Sequence, residues 1–176
     1  MKYTLEIQKR LLQVENGNLS PHEKALLLKE AIRIADENDD PQWAVEMRLD
    51  LIYELNLLSQ AEEEIAVFSR ILDDYENNKD LISENDILWK YKWICGAAFD
   101  VPEVSQSQID AILEDFKIRT LRNGYSARAY YHLLFLHYNR MRQYDLAKEY
   151  ADKMLSEKLD DMICEACELN LLLDYY

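Results

Sequence analysis

Apolar residues recur at three- and four-residue steps along most of this chain, with charged residues between them. A helix completes one turn in about 3.6 residues, so this period predicts amphipathic helices. Lys24–Asn38 reads KALLLKEAIRIADEN, Ala61–Asn77 reads AEEEIAVFSRILDDYEN, and Tyr144–Lys158 reads YDLAKEYADKMLSEK. Ala31, Ile71 and Met154 fall at matching points, with a first gap of 40 residues and a second of 83, about two such periods. Repetition on that scale predicts a solenoid of stacked helical hairpins, none of which can bury its apolar face alone.

The pattern yields about nine helices and no strand. The first is expected from Lys2 to Glu15, ending at Asn16-Gly17-Asn18. The second opens on Ser20-Pro21-His22-Glu23, where Ser20 caps, Pro21 suits the first turn and Glu23 completes a capping box. The third follows Asp40-Pro41 and runs to about Leu58, with Trp43, Met47, Leu51 and Leu55 at four-residue steps. The fourth spans Gln60 to Tyr75, and a polar loop, Asn77 to Asp80, follows. The fifth, Ile87 to Phe99, is rich in aromatics and ends at Val101-Pro102. Ser105 or Ser107 caps the sixth, which stops at Asn123-Gly124. The seventh covers Ala127 to Arg142, the eighth Tyr144 to Glu157, and the ninth starts at Asp161. Short connections make sequential helices antiparallel. No Ser/Gly/Pro-rich linker interrupts them, so one domain is expected over residues 1–176.

Composition narrows the function. The 176 residues suffice for a sizeable core, and three glycines with three prolines leave room for few turns. Thirty-four acidic residues against 20 basic ones give a net charge of −14. That balance disfavours nucleic acid and anionic membranes and favours a basic partner. The first residues mix charge into the apolar positions, so no signal peptide is read there. Apolar runs of three or four residues are too short to span a bilayer. Three cysteines without secretion point to the reducing cytosol.

Reactive chemistry is sparse. Cys164 and Cys167 form C-x-x-C near an expected helix start, where a thiol pKa falls. Core packing, a redox pair and a metal role are the alternatives. A thioredoxin-like site needs strand context, and a structural zinc needs four ligands. His132 and His137, five apart, diverge on a helix, and His22 is expected to face water. No nucleophile–histidine–acid motif or glycine-rich phosphate loop occurs, so no enzymatic activity and no cofactor are expected. Trp89-Lys90-Tyr91-Lys92-Trp93 alternates aromatic and basic residues around a helix. Its tryptophans either pack in the core near Cys95 and Gly96 or anchor a peptide.

The hairpins resemble the tetratricopeptide-repeat family, with divergent repeats of bacterial type. The best match is Tyr131 to Leu155: Tyr131, Leu134 and Tyr138 fit the first helix of a pair, and Tyr144 and Ala147 the second. Phe135 stands where the family prefers a small residue, and Ala151 where it prefers an aromatic. Arg48 to Leu72 is a second match through Leu51, Leu55, Phe68 and Ile71, with Glu64 in place of the usual Ala. AIRIADENDDPQWA looks like the longer inter-repeat link of bacterial regulatory members. Cys95, Gly96 and Phe99 would mark a degenerate third unit.

The resemblance implies an all-α, right-handed solenoid of antiparallel hairpins with seven to nine helices. It also implies a scaffold that binds protein or peptide on its concave face. Carried over by position, that face takes Asp50, Tyr53 and Asn56 from the third helix, Lys90 and Trp93 from the fifth, and His132, Asn139 and Arg140 from the seventh. The alternative is a regulatory sensor responding to a peptide or small ligand. The last helix carries Met162, Ile163, Ala166, Leu169, Leu171, Leu172, Leu173, Tyr175 and Tyr176. One neighbour cannot cover so much apolar surface, so a homodimer through this helix, or a longer solenoid of which the chain is the N-terminal part, is expected, unless the helix folds back as an end cap.

Overall fold

The computed structural model describes residues 2–163 together with Ala166, Leu169 and Leu173. Eight helices and no strand occur among the described residues: α1 (Lys2–Asn16), α2 (Pro21–Glu37), α3 (Pro41–Leu57), α4 (Ala61–Asn77), α5 (Glu84–Ala98), α6 (Gln106–Arg122), α7 (Arg128–Arg140) and α8 (Tyr144–Ser156). They fall into two compact units, Met1–Ser83 and Glu84–Tyr176. The ninth expected helix lies mostly outside the described residues.

Helix starts follow their caps. Ser20 N–H donates to Glu23 Oε2 at 2.8 Å, and Trp43 N–H donates to Asp40 Oδ1 at 3.3 Å. Ser105, not Ser107, caps α6: its N–H donates to Gln108 Oε1 at 2.9 Å. α5 starts three residues earlier than the apolar pattern indicates. Glu84 and Asp86 sit in its first turn, where carboxylates favour the positive end of the helix dipole.

The helix ends share one device. After α2, α3, α6 and α7 the chain enters the left-handed region for one residue: Asp39 (φ 51°), Ser59 (φ 54°), Gly124 (φ 83°) and Arg142 (φ 57°). At each, two backbone bonds close a Schellman turn. Gln60 N–H reaches Leu55 O at 3.0 Å and Ser59 N–H reaches Asn56 O at 3.0 Å; Gln143 N–H reaches Tyr138 O at 2.9 Å and Arg142 N–H reaches Asn139 O at 3.0 Å. After Asp39, Ser59 and Arg142 the next residue is already the N-cap of the following helix. Such tight turns leave consecutive helices packed on one another: α2 on α3, α3 on α4 and α7 on α8. At α1 the stop is Gly17, where a Cβ would lie 2.4 Å from Gln13 O.

In the first unit α3 lies between α2 and α4, so its buried residues, Ala44, Val45, Met47, Arg48, Leu51, Ile52, Glu54 and Leu55, are spread around it. Ile7, Leu28, Ala31, Phe68 and Ile71 complete that core. In the second unit α5 packs on both α6 and α7, and α7 on α8. Phe116, Leu134, Ala147, Ala151 and Met154 are buried there. Leu51, Leu55, Phe68, Ile71, Leu134, Ala147 and Met154 thus occupy the interior that the periodicity gives them. Tyr138 is only half-buried, because its ring belongs to a row of stacked tyrosines.

Candidate functional site

The eight residues carried over by resemblance divide between the units. Asp50, Tyr53 and Asn56 form an exposed row on α3, at three-residue steps, with Tyr53 48% exposed. The other five belong to the second unit. Lys90 Nζ lies 4.5 Å from the centre of the Trp93 ring, and both side chains are half-buried. One turn beyond Trp93, Gly96 O accepts from Arg140 Nη1 at 3.2 Å. The same nitrogen donates to Asp100 Oδ1 at 2.9 Å, and the guanidinium lies 5.8 Å from the Phe99 ring. Arg140 therefore ties the end of α7 to the end of α5, and Asn139 beside it is half-buried.

His132 does not lie on this surface. It is buried, and burial together with the Lys92 charge pushes its pKa down to about 4. Its Nδ1 has no hydrogen-bond partner among the described residues. Lys92 is 7% exposed, and its Nζ lies 4.0 Å from the centre of the Trp89 ring. Burial pushes its pKa down to about 8, with Asp160 opposing the shift. The tryptophan-rich segment thus splits: Trp93 pairs with Lys90, while Trp89 shelters the buried Lys92.

Local periodicity also leaves out a tyrosine row on α7 and α8. Tyr138 stacks on Tyr150 with ring centres 5.3 Å apart and planes inclined by 5°, and Tyr131 stacks on the same ring at 6.2 Å. Lys153 Nζ caps Tyr150 at 4.6 Å, and Lys117 Nζ lies 5.0 Å from Tyr130. Burial, with Glu114 next, pushes the Tyr130 phenol up to about 12.

In the first unit, Arg48 is buried and grips Asp36 through both carboxylate oxygens, at 2.8 and 2.7 Å, while its other nitrogen reaches Asp74 at 3.1 Å. A cavity of about 460 Å³ opens beside them, lined by Asp36, Asp39, Asp40, Pro41, Arg48, Arg70 and Asp74. Its charges are largely paired with each other, so it is a mixed-sign pocket and not a simple acidic trap.

Cys95 is buried, and desolvation raises its pKa far above that of a reactive thiol. Cys164 and Cys167 lie outside the described residues. Among the described residues no group of three or more His, Cys, Asp or Glu side chains is placed to share a metal ion, and no helix is long and apolar enough to cross a membrane. Comparisons with protein-family models, curated proteins and solved structures find no match.

Proposed function

We propose that this chain is a tetratricopeptide-like helical-repeat module that binds protein or peptide, with no catalytic role and in the cytosol. The observation that carries the reading is the recurrence of one hairpin. α3–α4 and α7–α8 are closed by the same three-residue turn, and equivalent apolar positions are buried on both sides of it. Hairpins of this kind present side chains from their first helices, here Asp50, Tyr53 and Asn56 in one unit and Lys90, Trp93, Asn139 and Arg140 in the other. Tryptophan, tyrosine and arginine are the side chains that most often dominate binding energy. The net charge of −14 favours a basic partner.

Peptides selected from a random display library against the whole chain test the reading. Trp93→Ala and Arg140→Ala are each expected to weaken the selected peptides at least tenfold while leaving helical circular dichroism unchanged. Selected peptides that bind both variants as well as the parent chain would refute the assignment of this surface. Leu169 and Leu173 are helical and exposed, the latter at 78%, and they support self-association through the last segment as part of the same proposal. Light scattering at micromolar concentration checks it, and a clean monomer removes it. The alternative, a sensor, is favoured by the way residues 157–163 are held.

A further inference from the structure

Past α8 the chain turns back over α5 and α7, and three side chains of the second unit hold it. Arg128 Nη1 donates to Met154 O at 2.9 Å and Glu157 O at 2.8 Å. The Ser126 hydroxyl donates to Lys158 O at 2.8 Å, and the Ser126 N–H to Asp160 Oδ2 at 2.7 Å. The other oxygen of Asp160 accepts from Met162 N–H at 3.0 Å. Lys92 Nζ donates to Met162 O at 2.7 Å. Met162 is fully buried and Ile163 nearly so.

These contacts are those a groove makes with a bound peptide: main-chain carbonyls and one carboxylate are captured by α5, by the start of α7 and by the turn before it, and apolar side chains fill the interior. Two details go beyond an ordinary helix end. The buried cation of α5 spends its hydrogen bond on the backbone of a residue 70 positions away. Beside it, His132 Nδ1 is buried without a hydrogen-bond partner among the described residues, so the segment leaves one polar atom of this site unsatisfied. A buried polar atom without a partner is unfavourable, and a ligand able to hydrogen-bond it removes that cost.

We propose that residues 157–163 are an intramolecular ligand: they occupy a peptide site formed by Lys92, Ser126, Arg128 and His132, and a partner peptide with an aspartate two residues before a large apolar side chain displaces them. The proposal rests on the reading above only in taking the chain to bind peptide; it places that peptide on residues other than the Trp93 and Arg140 surface. The partner's carboxylate takes the Ser126 N–H, its carbonyl takes Lys92, and its apolar side chain replaces Met162. While the segment is in place the site is closed to outside peptides, so release of the segment regulates it.

The probe is a fluorescein-labelled peptide with the sequence of residues 157–163, added to the full chain and followed by anisotropy. The Asp160→Ala/Met162→Ala double variant, whose own segment is weakened, is expected to bind the probe at least tenfold more tightly than the parent. Adding Lys92→Met to that variant, or replacing the aspartate at the Asp160 position of the probe by Asn, is expected to abolish the gain. Equal affinity for parent and variant, or no binding to a variant with parental circular dichroism and melting, overturns the proposal. If the double variant does not fold, Met162→Ala alone serves, with a smaller gain expected and no gain overturning the proposal. Lys92→Met is read on this probe, whereas Trp93→Ala and Arg140→Ala are read on library-selected peptides. Either result can therefore fail while the other stands.

Discussion

Ser59 and Arg142 hold the same left-handed conformation, φ 54° and φ 57°, at the turns that join α3 to α4 and α7 to α8. Neither is glycine, the residue that this position accepts without steric cost.

A stability prediction follows from that geometry. Ser59→Gly and Arg142→Gly are each expected to raise stability by up to about 1 kcal/mol, since a side chain in this region costs about 1–2 kcal/mol and glycine loses part of the gain through its freer unfolded chain. Ser59→Val is expected to lose about 1–2 kcal/mol, because branching at Cβ crowds the carbonyl further. Urea midpoints at constant slope check both signs.

Arg48 is a buried cation of the first unit that holds two carboxylates. Arg48→Ala leaves Asp74, whose side chain is 12% exposed, with only the exposed Arg70 as partner, at 3.3 Å, and about 2 kcal/mol of destabilisation is expected. Asp36→Asn is expected to cost under about 1 kcal/mol, since water reaches a carboxylate that is 45% exposed. Chemical denaturation in which Asp36→Asn proved the costlier change would contradict the pairing described.

The second unit carries an acid-sensitive component. The His132 pKa is about 4 in the folded chain against 6.5 for an ordinary imidazole, so between those values the unfolded chain binds the extra proton. Stability is then fully present above pH 6.5 and falls as pH drops towards 4, by about 3 kcal/mol from this group. His132→Phe removes that slope. Lys92 acts in the alkaline range: with its pKa at about 8 against 10.5, stability rises between those two values, and Lys92→Met flattens the rise. Melting temperatures across pH 4 to 11 give both slopes.

Ala147 is buried at the start of α8, the helix that packs on α7. Ala147→Leu overpacks that contact and is expected to cost about 1–3 kcal/mol. An unchanged melting temperature would mean that the two helices are not held together at this point.

The helices were readable because their apolar steps and caps are local. Ser20-Pro21 and Asp40-Pro41 mark starts that the backbone adopts. The turns were harder to see, since Asp39, Ser59 and Arg142 carry no glycine signal for the left-handed position. The resemblance to the repeat family puts His132 on the binding face, but His132 is buried, since α7 is covered by α5 as well as α8 and a repeat motif does not contain that second neighbour. Arg140 reaches Gly96 at the end of α5, one turn past Trp93, a contact between residues 44 positions apart that periodicity cannot encode. Ser126, Arg128 and Lys92 were invisible as a group. What they bind is largely main chain, and every residue supplies a carbonyl, so no residue type announces it.

The bond from Lys92 to Met162 also sets an order in time. A ribosome adds roughly 5–20 residues per second, so the lysine is made roughly 4–14 s before the residue whose carbonyl receives it, 70 positions later. Until then α5 cannot bury its ammonium against that acceptor, and water must solvate the charge. The bond that holds the segment on α5 therefore forms only after residue 162 is made, whereas α5 to α8 pack on one another from residues already present.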